Sequence, residues 1–173
     1  MDLKKLIRDI PDFPKKGIVF KDITTLLKNP SGLSEAANEL CKCLGDRKIT
    51  KVVGIESRGF ILGGLLAQKL NAGFVPIRKP KNLPAEVISA SYSLEYGTDA
   101  IEIHKDAIVK GDQVLLHDDL LATGGTMEAA CNLIERLGGE VVQISFLIEL
   151  DFLKGRDKLN KYDVCSLIHY DSE

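Results

Sequence analysis

Short apolar runs alternate with amphipathic stretches along most of the chain. Apolar residues that follow one another without alternation are typical of strands buried on both faces of a sheet. Such runs predict strands at residues 51–56, 74–77, 114–116, 140–149 and 164–169. Between them, apolar residues recur at helical spacing and predict helices that end near Gly45, Leu70 and Gly138. This alternation predicts an α/β domain with a mostly parallel central sheet flanked by helices.

Three segments depart from this alternation of strands and helices. Residues 3–10 carry an apolar stripe at helical spacing, which predicts an N-terminal helix that the following proline ends. Residues 18–27 have mixed periodicity and predict a flap that covers another part of the molecule. Residues 89–96 and 101–104 alternate on either side of a glycine and predict an antiparallel hairpin standing off the main sheet.

The composition is that of a globular protein. Of the 173 residues, 45% are hydrophobic and 28% are charged, which predicts one domain, residues 1–173, with a core of its own. The net charge is −2, without the basic excess usual in nucleic-acid binders. We therefore expect no nucleic-acid partner, and any anionic ligand must be held by local cations and backbone N–H groups.

The same sequence gives expectations for membrane association and redox state. No run reaches the ~18 apolar residues of a membrane span, and the N-terminus lacks the apolar core of a signal peptide. We expect no membrane partner and a cytoplasmic location. The four cysteines have no metal-ligand or redox spacing, so we expect free thiols.

Candidate chemistry is densest after the strand predicted at 114–116. Asp118 and Asp119 follow it directly, at the carboxyl end where open α/β sheets bind ligands. The next residues, 122–126, read Ala-Thr-Gly-Gly-Thr and lead into a helix. Backbone N–H groups at a glycine-rich helix start bind phosphate. The alternative is an ordinary strand-to-helix turn with two solvated aspartates.

Two further features are expected at the same sheet edge. Residues 57–59, Ser-Arg-Gly, form another strand-end turn that could hold an anion, and residues 78–84 form a loop with three cations and two prolines. Two anion sites beside two carboxylates suit a ligand with phosphates at both ends and hydroxyls between them. The chain has no GxGxxG or Walker sequence, so dinucleotide and P-loop sites lack support.

These motifs resemble type I phosphoribosyltransferases and, among them, the adenine phosphoribosyltransferase family. The resemblance extends from about residue 10 to residue 170 and rests on order and spacing. It is carried by residues 18–24 (IVFKDIT), 56–60 (ESRGF), 78–79 with 83–84 (RK, LP), 92–97 (YSLEYG) and 118–126 (DDLLATGGT). It implies the type I phosphoribosyltransferase fold, with a small N-terminal base-binding hood at about residues 1–30 and a mobile loop and hairpin at about 78–104.

The resemblance also implies a reaction of purine salvage. Adenine and 5-phosphoribosyl 1-pyrophosphate would give AMP and pyrophosphate in a homodimeric enzyme with Mg²⁺. The metal would be held by substrate and water near Asp118 and Asp119, with no direct protein ligand expected. Glu95 and Asp119 would be catalytic. The phosphoribosyl pyrophosphate would contact Ser57, Arg58, Gly59, Arg78, Lys79, Lys81, Asp118, Asp119, Ala122, Thr123, Gly124, Gly125 and Thr126. Adenine would contact Val19, Phe20, Lys21 and Leu120.

Three positions depart from the family pattern. Lys21 stands where the family usually has Arg, and Lys81 stands one place before the usual loop lysine. His117 replaces an apolar residue, and we expect it to be hydrogen-bonded in the core rather than catalytic. Two other functions stay open: transfer to another purine base, and a regulator that senses phosphoribosyl pyrophosphate without catalysis.

Overall fold

The computed structural model describes residues 1–94 and 97–172. The strands within them are β1 (Arg8–Pro11), β2 (Val19–Asp22), β3 (Lys51–Ile55), β4 (Gly73–Ile77), β5 (Val87–Ser93), β6 (Thr98–His104), β7 (Gln113–Leu121), β8 (Glu140–Leu150) and β9 (Val164–Tyr170). The α-helices are α1 (Thr24–Leu27), α2 (Pro30–Leu44), α3 (Gly59–Lys69) and α4 (Gly125–Arg136). Short 3-10 helices cover Leu3–Leu6, Asp151–Leu153 and Gly155–Leu159.

The central sheet has five parallel strands in the order β4, β3, β7, β8, β9. Helices α2 and α3 cover one face, and α4 with the β5–β6 hairpin covers the other. Both faces are therefore buried, which explains why the strand sequences do not alternate. The α/β class and the five predicted strands are confirmed. Because β3 and β7 are parallel neighbours, the turns that follow them meet at one edge of the sheet.

Strand β7 is longer than the sequence predicts. It continues through the acid pair to Leu121, because β8 pairs with it as far as Glu149 and keeps the backbone extended. Asp119 is buried and Asp118 is half-buried. The two aspartates therefore lie near the carboxyl end of β7, and their side chains point to opposite faces of the sheet.

The N-terminal helix predicted for residues 3–10 is wrong. A 3-10 helix ends at Leu6, and β1 then pairs antiparallel with β2, with Arg8 opposite Asp22. The Arg8 guanidinium lies 2.5 Å from the Asp22 carboxylate. Ladder pairing between segments distant in sequence has overridden the local helical spacing. The predicted flap thus consists of β2 and α1, and β1 and β2 form a two-stranded ribbon outside the central sheet.

The predicted hairpin is confirmed. Strands β5 and β6 form a two-stranded antiparallel sheet, paired from Val87 with His104 to Ser93 with Thr98. The sheet lies against α4, where the guanidinium of Arg136 donates to the carbonyl of Ser89 at 2.8 Å. The hairpin is thereby placed beside the helix that begins at the glycine turn.

The expectation of four free thiols is wrong for one pair. Cys43 on α2 and Cys165 on β9 form a disulfide between residues 122 positions apart. They meet only because α2 packs against the edge strand, so their spacing in the sequence gives no signal. Cys41 and Cys131 are free. Among the described residues, no helix is both long and apolar enough to span a membrane.

Candidate active site

The acid pair carries more negative charge than its surroundings compensate. The Asp119 carboxylate forms an ion pair with Arg58, whose Nε lies 2.8 Å away. Oδ1 of Asp118 accepts a hydrogen bond from the backbone N–H of Asp119 at 2.8 Å. Burial and the charge of Asp119 raise the pKa of Asp118 well above its usual range. Burial also raises the pKa of Asp119, although the Arg58 charge opposes it. The pair is suited to bind a further cation or hydroxyl donors.

The glycine turn lies directly after this pair. It borders a cavity of about 90 Å³ lined by Asp118, Leu120, Leu121, Ala122, Thr123, Gly124, Gly125, Thr126, Met127 and Phe146. Gly124 has φ of +84°, and a Cβ there would lie 2.5 Å from the carbonyl oxygen of Gly155. Only glycine fits such a position. The turn therefore presents bare backbone at the start of α4, as anion binding requires.

The second turn follows β3 and touches the acid pair. Ser57 is exposed, and the Glu56–Ser57 peptide bond is cis. A Cβ on Gly59 would lie 2.9 Å from Oδ1 of Asp118. The second turn thus packs directly on the acid pair, and a side chain at position 59 would push the Asp118 carboxylate away.

Glu56, the first residue of this turn, holds the cationic loop. Its carboxylate accepts from Nη2 of Arg78 at 2.8 Å and from the N–H of Lys79 at 3.0 Å. The Arg78 hydrogen bond is the main cause that lowers the pKa of Glu56 to about 2. The sequence placed Glu56 in the strand-end turn of residues 56–59, and its pairing with the loop of Arg78 and Lys79 was not predicted.

The loop cations approach the acid pair from one side. Nζ of Lys79 pairs with Asp99 and lies 3.1 Å from the hydroxyl of Tyr92. Lys81 is exposed, and its N–H donates to Glu102 at 3.1 Å. A cavity of about 140 Å³ is lined by Ile55, Glu56, Ile77, Arg78, Lys79, Tyr92, Ile101, Asp118 and Thr126. Two loop cations, one aspartate and the end of the glycine turn therefore share one space.

The N-terminal ribbon reaches the same region through Arg58. The guanidinium carbon of Arg58 lies 5.1 Å from the ring centroid of Phe20, within cation–π range. Arg58 thus connects the aromatic residue of β2 with the carboxylate of Asp119. Leu120 packs half-buried on the α2–α3 face of the sheet.

Comparison with known proteins identifies the family. The model of the phosphoribosyl transferase domain family matches residues 22–171. The chain is 60% identical to the adenine phosphoribosyltransferase of Christiangramia forsetii over 98% of its length and 99% of that relative. It is 61% identical to that of Halothermothrix orenii, over 97% of this chain and 99% of that relative. The chain belongs to the adenine phosphoribosyltransferases, within the phosphoribosyltransferase family.

Solved structures of adenine phosphoribosyltransferases have the same fold. That from Thermoanaerobacter pseudethanolicus has a TM-score of 0.95 and 54% identity, with 98% of each chain covered. That from Giardia lamblia, complexed with 9-deazaadenine, has a TM-score of 0.92 and 45% identity, covering 98% of this chain and 96% of that chain. The type I phosphoribosyltransferase fold predicted from the motifs is confirmed.

Most site residues predicted from the motifs lie together in the structure. The two turns, the acid pair and the side chains of Arg78 and Lys79 converge, while Lys81 lies on the same loop with its backbone bound to Glu102. Glu95 lies outside the described residues. The contacts of the loop with Glu56, Tyr92 and Asp99 were not predicted, because these three residues lie in separate segments of the chain.

His117 lies hydrogen-bonded in the core, as the sequence predicted. It is fully buried, and its Nδ1 lies 2.9 Å from Oγ of Ser145 on β8. Burial lowers its pKa to about 4. The imidazole is therefore neutral near pH 7, next to two carboxylates in sequence but held by the neighbouring strand.

Proposed function

We propose that this protein transfers the 5-phosphoribosyl group of 5-phosphoribosyl 1-pyrophosphate to adenine, giving AMP and pyrophosphate. The observation that carries the proposal is the pair of half-buried Asp118 and buried Asp119, which borders the glycine turn in a chain of the adenine phosphoribosyltransferase family. The reaction displaces pyrophosphate at an anomeric carbon, so positive charge develops on the ribose. The enzyme's contribution is positioning and charge stabilisation.

The ribose 5-phosphate would bind the backbone N–H groups of residues 122–126, at the start of α4. Asp118 and Asp119 would accept hydrogen bonds from the ribose hydroxyls. Their raised pKa values support this role, because each carboxylate gains from any donor or positive charge that approaches it. Asp119 would stabilise the charge that develops at the anomeric carbon.

The pyrophosphate would lie between the turn of Ser57, Arg58 and Gly59 and the loop of Arg78, Lys79 and Lys81. Lys79 now pairs with Asp99 and would exchange this partner for a phosphate oxygen. Mg²⁺ would be held by the substrate and by water near the carboxylates of the acid pair, with no direct protein ligand. Bound with the substrate, Mg²⁺ would offset the charge of the leaving pyrophosphate.

Adenine would stack between Phe20 and Leu120, and the backbone of Val19 and Lys21 would bind its hydrogen-bonding edge. The contact between Phe20 and Arg58 supports a base site next to the ribose site. Glu95 would act as acid or base at the purine ring, worth roughly 10²–10⁴ in rate. The Lys21 ammonium is 3.0 Å from the carboxylate of Asp9 and is not free to bind the 6-oxo group of another purine.

We also propose that residues 1–173 act as one unit and form a homodimer. Ile61 on α3 and Phe74 on the edge strand β4 are 44% and 37% exposed, and each would supply an apolar contact to a second copy. The predicted motion of the loop and hairpin and the cytoplasmic location stay predictions. Gel filtration of wild type and of Ile61→Glu tests the dimer.

One assay tests the proposed reaction. The protein is incubated with phosphoribosyl pyrophosphate, Mg²⁺ and each purine base in turn, and nucleotide formation is followed by chromatography. We expect AMP from adenine and no nucleotide from hypoxanthine, guanine or xanthine. Turnover with another base at a similar rate contradicts the specificity, and no turnover with any base contradicts the function.

A further inference from the structure

Strand β2 of the N-terminal ribbon has two different faces. Phe20 lies beside Arg58, toward the acid pair. The next side chain, that of Lys21, points to the opposite face and is only 5% exposed. Its ammonium lies 3.0 Å from Oδ1 of Asp9 and 4.2 Å from the ring centroid of Tyr170. The residue that follows the proposed stacking ring is thus buried against other parts of the protein.

The two partners of Lys21 differ in what they can hold in place. Asp9 pairs with Lys21 across the ribbon itself, so their contact does not fix the ribbon to the rest of the molecule. Tyr170 is the last residue of β9, an edge strand of the central sheet. A buried ammonium needs its partners, because desolvation without them is costly. The Tyr170 ring therefore ties β2 to the sheet that carries the ribose site.

A second contact supports the same connection. The ammonium of Lys4 lies 4.3 Å from the Tyr170 ring centroid and donates to the carbonyl of His169 at 2.5 Å. The segment that leads into β1 and strand β2 itself therefore both meet the end of β9. Both ammonium groups thus lie over the Tyr170 ring. The face of an aromatic ring attracts a cation without needing the hydroxyl.

We propose that Tyr170 is a positioning residue for adenine. By binding the Lys21 ammonium on one face of β2, it sets the distance between the ribbon and the ribose site, and so the position of the backbone of Val19 and Lys21. The inference rests on the proposed function, in which that backbone binds the base. Tyr170 itself touches no substrate, so its effect is on adenine and not on phosphoribosyl pyrophosphate.

Steady-state kinetics of three single variants and one double variant test this. Tyr170→Leu removes the ring, and we expect the KM for adenine to rise roughly 3- to 30-fold, the range of a cation–π contact. The KM for phosphoribosyl pyrophosphate and kcat should stay within about twofold of wild type. Tyr170→Phe keeps the ring and should restore the wild-type KM for adenine. Lys21→Met removes the cation and should match Tyr170→Leu, with no further loss in the double variant.

Tyr162→Leu is the matched control, since that tyrosine packs on the other face of the sheet and its hydroxyl donates to Glu135 of α4. It should leave the KM for adenine unchanged. The inference is overturned if Tyr170→Phe loses as much adenine affinity as Tyr170→Leu, or if both substrates are affected equally. If Tyr170→Leu does not fold, an unchanged adenine KM in Lys21→Met overturns it. Absence of AMP formation by wild type refutes the proposed function instead.

Discussion

Strands β3 and β7 are neighbours, and each has a carboxylate paired with an arginine at its carboxyl end, Glu56 after β3 and Asp119 near the end of β7. The pKa values of the acidic side chains at the two ends are nevertheless shifted in opposite directions. Arg78 lowers the pKa of Glu56 to about 2, with further hydrogen bonds from the N–H of Lys79 and the amide of Asn82. Burial and the neighbouring charge of Asp119 raise the pKa of Asp118 well above its usual range, and the Arg58 guanidinium that opposes this shift is paired with Asp119. The charge of Glu56 is thus balanced by groups of the protein itself, and that of the acid pair is not.

The difference indicates what each end is for. Glu56 has its donors in place before any ligand binds, so it holds the loop of Arg78 and Lys79 in position. The acid pair lacks a share of its compensating charge, and a ligand with hydroxyl groups and a metal ion would supply it. Local imbalance of charge at a buried site is a common mark of binding and catalysis. The predictions below test this contrast.

The largest effect is expected from Asp119→Asn. It removes the charge that would stabilise the ribose in the transition state, and we expect kcat/KM to fall by about 10²-fold or more. The melting temperature should stay equal or rise, because the variant relieves repulsion between buried carboxylates. Kinetics and thermal unfolding measure the two changes.

The control for that variant is Asp112→Asn, just before the opposite end of β7. Asp112 accepts from the N–H of Val109 at 2.9 Å and from the hydroxyl of Thr50 at 2.7 Å. Its loss should lower stability and leave kinetics unchanged. Wild-type kcat/KM in Asp119→Asn would remove Asp119 from the catalytic site.

A smaller effect is expected where the turn of Ser57, Arg58 and Gly59 touches the acid pair. Gly59→Ala places a methyl group 2.9 Å from Oδ1 of Asp118, so the carboxylate or the turn must shift. We expect the KM for phosphoribosyl pyrophosphate to rise about tenfold, and overpacking to cost roughly 1–3 kcal/mol in unfolding free energy. Gly64→Ala on α3 is the control, because a Cβ there meets nothing within 4 Å. Equal kinetics of the two variants would contradict the coupling of this turn to the acid pair.

Glu56→Gln should have the opposite signature to Asp119→Asn. It removes a compensated charge, so the melting temperature should fall, while the KM for phosphoribosyl pyrophosphate should rise only a few-fold as the loop loosens. The folded pKa of Glu56 is about 2 against 4.5 for the free side chain, so its contribution is complete above pH 4.5 and is lost as the pH falls toward 2. In denaturant unfolding, the free energies of unfolding of wild type and Glu56→Gln should converge as the pH falls over that range. A gap independent of pH would refute the pairing.

The smallest effect on activity is expected at His117. Its pKa is about 4 in the folded protein and 6.5 when free, so protonation favours the unfolded state and stability falls as the pH drops. Wild type should lose roughly 2 kcal/mol more than His117→Gln between about pH 7 and about pH 5. Unfolding titrations with denaturant measure this. Identical losses in both proteins would show that the imidazole titrates normally.

The sequence predicted the parts of this arrangement that depend on local pattern. The non-alternating run at 114–116 predicted β7, and the glycines at 124 and 125 marked the start of α4. The sequence also predicted that the turns after β3 and β7 lie at one edge of the sheet, because parallel strands have their carboxyl ends on the same side. These features depend on residues close in the chain, where periodicity and turn chemistry are informative.

The contacts between distant segments could not be predicted in this way. The β1–β2 ribbon replaced a helix that residues 3–10 favoured locally, because Arg8 and Asp22 pair across the ladder. The disulfide joins Cys43 to Cys165 for a reason that appears only when α2 lies on β9. Similarly, Glu56 had no recognisable role until Arg78 was placed beside it.

The contact between Gly124 and Gly155 bears on protein engineering. Each glycine faces backbone of the other segment, since a Cβ on Gly155 would lie 2.4 Å from the carbonyl oxygen of Ala122. The rear of the glycine turn is therefore formed by a segment about thirty residues later in the chain. A designer who grafts residues 118–126 onto another sheet transfers the motif without its support. Such a graft needs a second close-packed glycine segment before its backbone can hold the same shape.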